Sequence, residues 1–248
     1  MNRRGAWVFL LAAGAGLLGL SKLASQTPEI PDPVKSGREL AERLRKTGPA
    51  KSASFDGLML IVRPGKTNTI PIASRILVTE SNWHVRYVAG PGLAGDDVLT
   101  VVRSSSKPNE YYSTDPTTNS AAKPLSASEL FQPFAGSDFW RIDLGQEFFF
   151  WPEQRQIKNQ MRRGRACRVL ESRNPKALPG TYGRVVSWID VETDGILKAE
   201  AYDNRDRLLK EFLVVSFRKV DGQYHLEEMA IRNQKAGEET RILFDLSR

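Results

Sequence analysis

Along most of the chain, apolar and polar residues alternate with a period of two, the signature of half-buried β-strands. Phe55 to Arg63, Thr69 to Thr79, Asn82 to Ala89 and Val98 to Arg103 are rich in Val, Ile, Leu and aromatics, and clusters of Gly, Pro, Ser or Asn separate them. Four antiparallel strands are predicted there, with Gly90 to Gly95 as a turn. The polar stretch Ser104 to Lys123 predicts a long loop holding one short strand around Tyr111-Tyr112. A β-meander follows, with strands near Gln156 to Arg163, Arg165 to Ser172, Tyr182 to Val191, Ile196 to Tyr202, Arg207 to Phe217, Gln223 to Arg232 and Glu239 to Phe244. Turn residues such as Thr193-Asp194-Gly195, Asp221-Gly222 and Lys235-Ala236-Gly237 stand between several of them. About ten or eleven strands with few helices predict a mainly β (α+β) fold. Its form is a single strongly curved antiparallel sheet or half-barrel, with short helices covering the concave face.

Helical periodicity is confined to short stretches. Arg38 to Lys46 places Leu40, Ala41 and Leu44 on one face, and Thr47-Gly48-Pro49 ends it. Ser126 or Ser128 is predicted to cap a second helix running through Phe134. Between Asp138 and Trp151 stand Phe139, Trp140, Ile142, Leu144, Phe148, Phe149, Phe150 and Trp151. Burying each such side chain is worth about 1.5 to 3 kcal/mol, so this segment is expected to plug a core or line a cavity. Some strands are apolar at both parities: Tyr182, Val186 and Trp188 on one, Val185, Ile189 and Val191 on the other. A sheet apolar on both faces needs something against its concave side, either its own helices or a ligand. The expected lining or lid of such a hydrophobic cavity is Leu58, Leu60, Trp83, Tyr87, Phe139, Trp140, Phe149, Trp151, Val186, Trp188 and Phe212. Phe139 to Trp151 is the candidate lid.

Arg3 and Arg4 precede an uncharged apolar run from Ala6 to Leu20, the layout of a secretory signal. At about 1.5 Å per residue the run is short for a bilayer core of roughly 30 Å, which favours a signal peptide over a stable membrane span. Residues 1–25 are therefore expected to be a signal peptide, cleaved near Ala24 or Ser25, or else an uncleaved inner-membrane anchor. Residues 26–37, with Pro28, Pro31 and Pro33, are expected to be a linker, and 38–248 the folded domain. Export places that domain in the periplasm.

Composition narrows the chemistry. With 40% hydrophobic and 26% charged residues among 248, the chain can bury an ordinary globular core. The net charge is +7, and loss of Arg3, Arg4 and Lys22 leaves +4. The remaining basic residues are spread through strands rather than massed on one helix, so no nucleic-acid partner is expected, while a membrane surface stays open. The single cysteine, Cys167, excludes an intramolecular disulfide and zinc sites built on two thiolates. His84 and His225 each stand in a strand pattern without a metal-ligand neighbour at suitable spacing, so no metal is expected. No nucleophile elbow, zinc-protease signature, P-loop or dinucleotide fingerprint occurs. A carboxylate pair for glycoside chemistry among Asp138, Asp143 and Glu147 requires that the fold bring two of them together, and solvated loop acids are commoner. Arg162-Arg163-Gly164-Arg165 is the densest basic cluster, fit for phosphate contact but more often a solvated hairpin edge. The expectation is a monomer with no catalysis and no cofactor.

Several stretches resemble a known family. They are Gly136-Ser137-Asp138-Phe139, Arg163-Gly164-Arg165 with Val169-Leu170-Glu171-Ser172, Val185-Val186-Ser187-Trp188-Ile189-Asp190, and Ala199-Glu200-Ala201-Tyr202-Asp203 leading to Leu209-Lys210-Glu211-Phe212. In this order they resemble the outer-membrane lipoprotein-sorting proteins, the LolA-like carriers, over about Ala135 to Phe244. That resemblance implies a half-barrel with a helical lid around a cavity for an acyl chain or lipoprotein, without cofactor or catalysis. The alternative is an envelope interaction or scaffold module that fills the same half-barrel and binds a protein along an edge strand. An open apolar pocket of roughly several hundred Å³ would favour the carrier, and a packed interior the scaffold.

Overall fold

The computed structural model describes residues 10–11, 30–49, 51–80, 82–90, 97–114, 121–220 and 223–245. The expected signal segment apart from Leu10–Leu11, the first part of the linker, the turn beyond Gly90 and the Asp221-Gly222 turn lie outside them.

Alternation produces the strands expected, and two pairs of residues, Leu10–Leu11 and Lys123–Pro124, add short strands that were not expected. They are β1 (Leu10–Leu11), β2 (Ala53–Arg63), β3 (Lys66–Val78), β4 (Trp83–Ala89), β5 (Asp97–Arg103), β6 (Glu110–Thr114), β7 (Lys123–Pro124), β8 (Glu153–Arg162), β9 (Arg165–Arg173), β10 (Arg184–Asp190), β11 (Ile196–Tyr202), β12 (Leu208–Val220), β13 (Gln223–Asn233) and β14 (Glu238–Phe244). All but β1 form one antiparallel path in the order β7-β6-β5-β4-β3-β2-β14-β13-β12-β11-β10-β9-β8, and β1 lies off it against β13. The sheet does not close into a barrel. Two meanders are thus sewn together by the pairing of β2 with β14, where Leu60 faces Arg241 and Leu58 faces Leu243.

That order has a topological consequence. The chain leaves the sheet at one edge, β7, and rejoins it at the other, β8. Residues 125–152 must therefore cross from edge to edge, and they do so over the concave face, where they meet the sheet's apolar side chains.

The inward parity is set by what that face buries. Met59, Ile61, Ile72, Leu99, Val101 and Tyr111 from the first meander meet Val214, Met229, Ile231 and Ile242 from the second, together with Phe134, Phe139 and Leu144 of the crossing segment. The outer face is largely a ladder of alternating charge: Lys198 to Glu211 at 2.6 Å, Glu211 to Arg232 at 3.7 Å, and Arg232 to Glu239 at 2.6 Å. Each such pair adds at most about 1 kcal/mol. Their larger effect is to keep this face wetted.

The linker expectation is corrected at its end. Helix α1 spans Pro33–Lys46, so residues 33–37 are helical rather than linker. Asp32 caps it, its carboxylate accepting from the Lys35 N–H at 2.9 Å, and Pro33 occupies the first turn, where a missing N–H costs nothing. Leu40, Ala41 and Leu44 bury against Phe148, Phe149, Trp151, Leu170 and Ile189. The helix crosses β8 so closely at Gly37 that a Cβ there would stand 2.4 Å from the Arg155 Cα.

The helix predicted through Phe134 is also corrected. Only the single turn Glu129–Phe131 forms. Pro133 offers no N–H and pushes Gln132 into extended geometry, which ends the turn. Beyond it, Pro133 bridges Trp140 in a small hairpin, then come helix α2 (Arg141–Gly145) and the turn Glu147–Phe150. Among the described residues no helix is long and apolar enough to cross a membrane.

Candidate functional site

Beneath the crossing segment lies an apolar cavity with about 120 Å³ of free space. The first meander contributes Phe55, Ile76, Val85 and Tyr87 to its wall, and the second Val185, Ile196, Ala199, Ala201, Phe212 and Met229. Phe139, Leu144 and Phe148 close it from the crossing segment. The small side chains at 199 and 201 leave the hollow on the β11 side.

Polar anchors hold the crossing segment down. Arg63 of β2 pairs with Asp138 at 2.8 Å, while Thr240 of β14 donates its hydroxyl to the same carboxylate at 2.7 Å and accepts the Asp138 N–H at 2.9 Å. Asp97 of β5 accepts the Ala135 N–H at 2.8 Å. At the far side Asn109 donates to the Gly145 carbonyl at 2.8 Å, and Gly145 sits so near Tyr111 that a Cβ would come within 2.0 Å of its hydroxyl. Glu147 Oε2 accepts from the Asn109 N–H at 3.2 Å and the Tyr111 hydroxyl at 3.3 Å. Burial outweighs those bonds and pushes the Glu147 carboxyl up to about 7.

A second polar group stands at the cavity itself. Lys210 of β12 is buried and lines the hollow together with Asp143 and Tyr182. Its ammonium donates to the Asp138 carbonyl at 2.6 Å, lies 3.6 Å from Asp143 Oδ2, and sits 3.6 Å from the centre of the Trp140 ring. Trp140 stacks on Tyr182 with centroids 4.6 Å apart. Asp143 Oδ2 accepts the Trp140 N–H at 2.8 Å and the Tyr182 hydroxyl at 3.2 Å. Burial drives both charges toward neutrality, lowering Lys210 to about 8 and raising Asp143. The three acids considered for glycoside chemistry thus each hold the crossing segment in place, and among the described residues no group of three or more His, Cys, Asp or Glu is arranged to hold a metal.

Of the residues expected at the cavity, Tyr87, Phe139 and Phe212 line it. The others lie elsewhere. Leu58 and Leu60 have the parity opposite to Met59 and Ile61 and point to the convex face, Leu58 being 46% exposed. Val186 and Trp188 likewise belong to the outer parity of β10, in a small cluster with Cys167, Val169 and Leu197, roofed by Lys158, Arg162 and Lys198 over the indole. Trp83 faces inward but packs with Ile76 and Val85 beyond the hollow, under Gly48. Phe149 and Trp151 are buried beneath α1, and Trp140 supports Tyr182 and Lys210. The basic turn is likewise engaged: Arg163 caps the carbonyl of Val215 at 2.8 Å, and Arg165 pairs with Asp190 and Glu192.

Lys210, Asp143, Ala199 and Ala201 were not expected at the site. The spacing of Lys210 two residues before Phe212 carried a signal, since that separation puts both on one face of a strand.

Solved structures share this fold. A domain described as an outer membrane lipoprotein-sorting protein domain, from Vibrio parahaemolyticus, superposes with a TM-score of 0.70 at 20% identity, over 86% of this chain and 91% of that one. A LolA superfamily protein from Nitrosomonas europaea gives 0.58 at 18% identity, covering 86% and 91%. A DUF1329 family protein from Desulfovibrio piger gives 0.68 at 24% identity, covering 87% and 92%. A family model described as that of an uncharacterized protein matches residues 84–246. The chain belongs to the family of that model, and its fold is that of the LolA-like structures. The matched span runs from β4 to the end of β14, so it includes the whole crossing segment and Lys210. No curated protein sequence matches the chain significantly.

Proposed function

We propose that this chain is an exported, periplasmic, non-enzymatic carrier that holds an acyl chain, free or as part of a lipoprotein, in the cavity beneath the crossing segment. The observation that carries the reading is the edge-to-edge crossing of residues 125–152, which turns an open half-barrel into a closed apolar hollow. Export rests on the Arg3-Arg4 pair and the apolar run from Ala6 to Leu20.

Magnitudes decide how such a carrier works. A hollow of about 120 Å³ is close to the engineered cavity of about 150 Å³ that accepts benzene, and below the roughly 300 to 1,000 Å³ of small-molecule sites. This is a closed state with room for the first few carbons of a chain. Deeper insertion needs Phe139, Leu144 and Phe148 to withdraw. Burying about ten methylenes gives roughly 8 kcal/mol gross, whereas the anchoring hydrogen bonds contribute about 0.5 to 1.5 kcal/mol each. The two are of similar size, so the exchange is reversible, which a carrier needs.

Native mass spectrometry of the protein purified from its own envelope tests the reading. The expected spectrum shows adducts with the mass of a lipid or a lipopeptide. A bare polypeptide mass, or co-purification with a protein along an edge strand and no lipid, would instead identify a scaffold with a filled interior.

A further inference from the structure

Among the described residues that line the cavity, Lys210 is the one cation and Asp143 the one anion. An ammonium offers three donors. One goes to the Asp138 carbonyl at 2.6 Å, and another side of the group rests on the Trp140 ring at 3.6 Å. The facing carboxylate oxygen, Asp143 Oδ2, stands at 3.6 Å, outside the ordinary range of about 2.7 to 3.2 Å. That oxygen is already served by the Trp140 N–H and the Tyr182 hydroxyl. Asp143 is therefore satisfied without Lys210, while Lys210 has a neutral carbonyl and a ring face in close contact and its one facing carboxylate only at a long 3.6 Å.

The charge on Lys210 is thus poorly compensated where it stands. Burial depresses the Lys210 pKa to about 8 in spite of the opposing pull of Asp143 and Asp138. Of the polar groups lining the cavity, this ammonium has the most to gain from an anionic partner, because charge-assisted hydrogen bonds are roughly twice as strong as neutral ones. It also marks the polar end of an otherwise greasy hollow, beside the stacked rings of Trp140 and Tyr182.

On the reading that the cavity carries an alkyl chain, we propose that its ligand is a single-chain amphiphile ending in an oxyanion, carboxylate or phosphate, which docks on the Lys210 ammonium. The charged and titratable groups facing Lys210 are Asp138 and Asp143 from the crossing segment and Tyr182 from the β9–β10 loop. A bound oxyanion stabilises the protonated lysine. Affinity for anionic amphiphiles therefore falls as pH rises through about 8, whereas affinity for a neutral amphiphile does not follow that titration.

Calorimetric titration with dodecanol, dodecanoate, dodecyl phosphate and dodecyltrimethylammonium at pH 7 and pH 9, on the wild type and on Lys210→Met, tests this. Dodecanoate or dodecyl phosphate is expected to bind about tenfold or more tighter than dodecanol at pH 7. The tighter of the two anions identifies the headgroup. The preference shrinks at pH 9 and disappears in Lys210→Met. Should that variant fold poorly, the wild-type ligand series and its pH dependence carry the test alone. Equal affinity for dodecanol and both anions, or cation binding as tight as anion binding, overturns the headgroup inference and leaves the carrier reading standing. Failure of all four to bind overturns the carrier reading, and the inference with it.

Discussion

Replacing Ala199 by Phe is expected to abolish alkyl-chain binding while leaving the protein folded. Ala199 lies on β11, is buried, and forms part of the cavity wall. A phenyl ring grafted there projects into about 120 Å³ of free space, a volume comparable to that of a benzene-binding cavity. Filling a void recovers lost packing, and mild overpacking costs about 1 to 3 kcal/mol, so the two terms largely offset. In a chain of this size 1 kcal/mol corresponds to about 2 to 4 °C, and Tm should move by only a few degrees. Dissociation constants for dodecanoate should rise at least tenfold. Unchanged binding in a folded Ala199→Phe variant would place the chain somewhere other than this hollow.

A comparably large effect, on stability rather than binding, is expected at Glu147. Its carboxyl is raised from 4.5 to about 7, chiefly by burial, with the Asn109 N–H, the Tyr111 hydroxyl and Arg103 opposing the shift. The folded state then holds a proton that the unfolded chain has released between about pH 4.5 and 7, so stability falls as pH rises across that window. Above pH 7 the full cost is present, at most about 3 kcal/mol for a partly exposed group. Glu147→Gln keeps an acceptor for Asn109 and Tyr111 but removes the charge. At pH 8 its Tm should exceed that of the wild type by roughly 5 to 10 °C, and near pH 4.5 the two should converge. Parallel melting curves at all pH values would show that Glu147 is not the group that titrates. The anchor it forms with Tyr111 holds one side of the crossing segment, so the same titration is expected to weaken the hold on that segment above about pH 7.

The strands and their turns were legible because alternation and turn chemistry are local properties. What alternation does not state is which parity faces inward when both are apolar. In β2, Leu58 and Leu60 compete with Met59 and Ile61, and in β10, Val186 and Trp188 compete with Val185 and Ile189. The choice is made by long-range pairing, above all β2 with β14, and by the segment laid against one face. Aromatic content marked Phe139 to Trp151 as interior. It did not separate residues that face the hollow, such as Phe148, from those roofed by α1, such as Phe149 and Trp151, because that distinction depends on where α1 lands. The helix start at Pro33 was masked by reading its prolines as a linker, although Asp32 followed by Pro33 is a favourable N-terminus. By residue type Lys210 carries no local signal of burial for a related reason, since a lysine in a strand is usually solvated and only tertiary contact buries this one.

On the proposed function, residues 125–152 form a displaceable cover over a hollow that accepts an alkyl chain. Amide hydrogen exchange with and without saturating dodecanoate tests it most directly, because the amides of Phe134, Ser137, Asp143 and Gln146 are bonded within the cover. Binding is expected to lower their protection while the amides of β11 to β13 keep or gain theirs. Bound dodecanoate with unchanged protection throughout the crossing segment would contradict it.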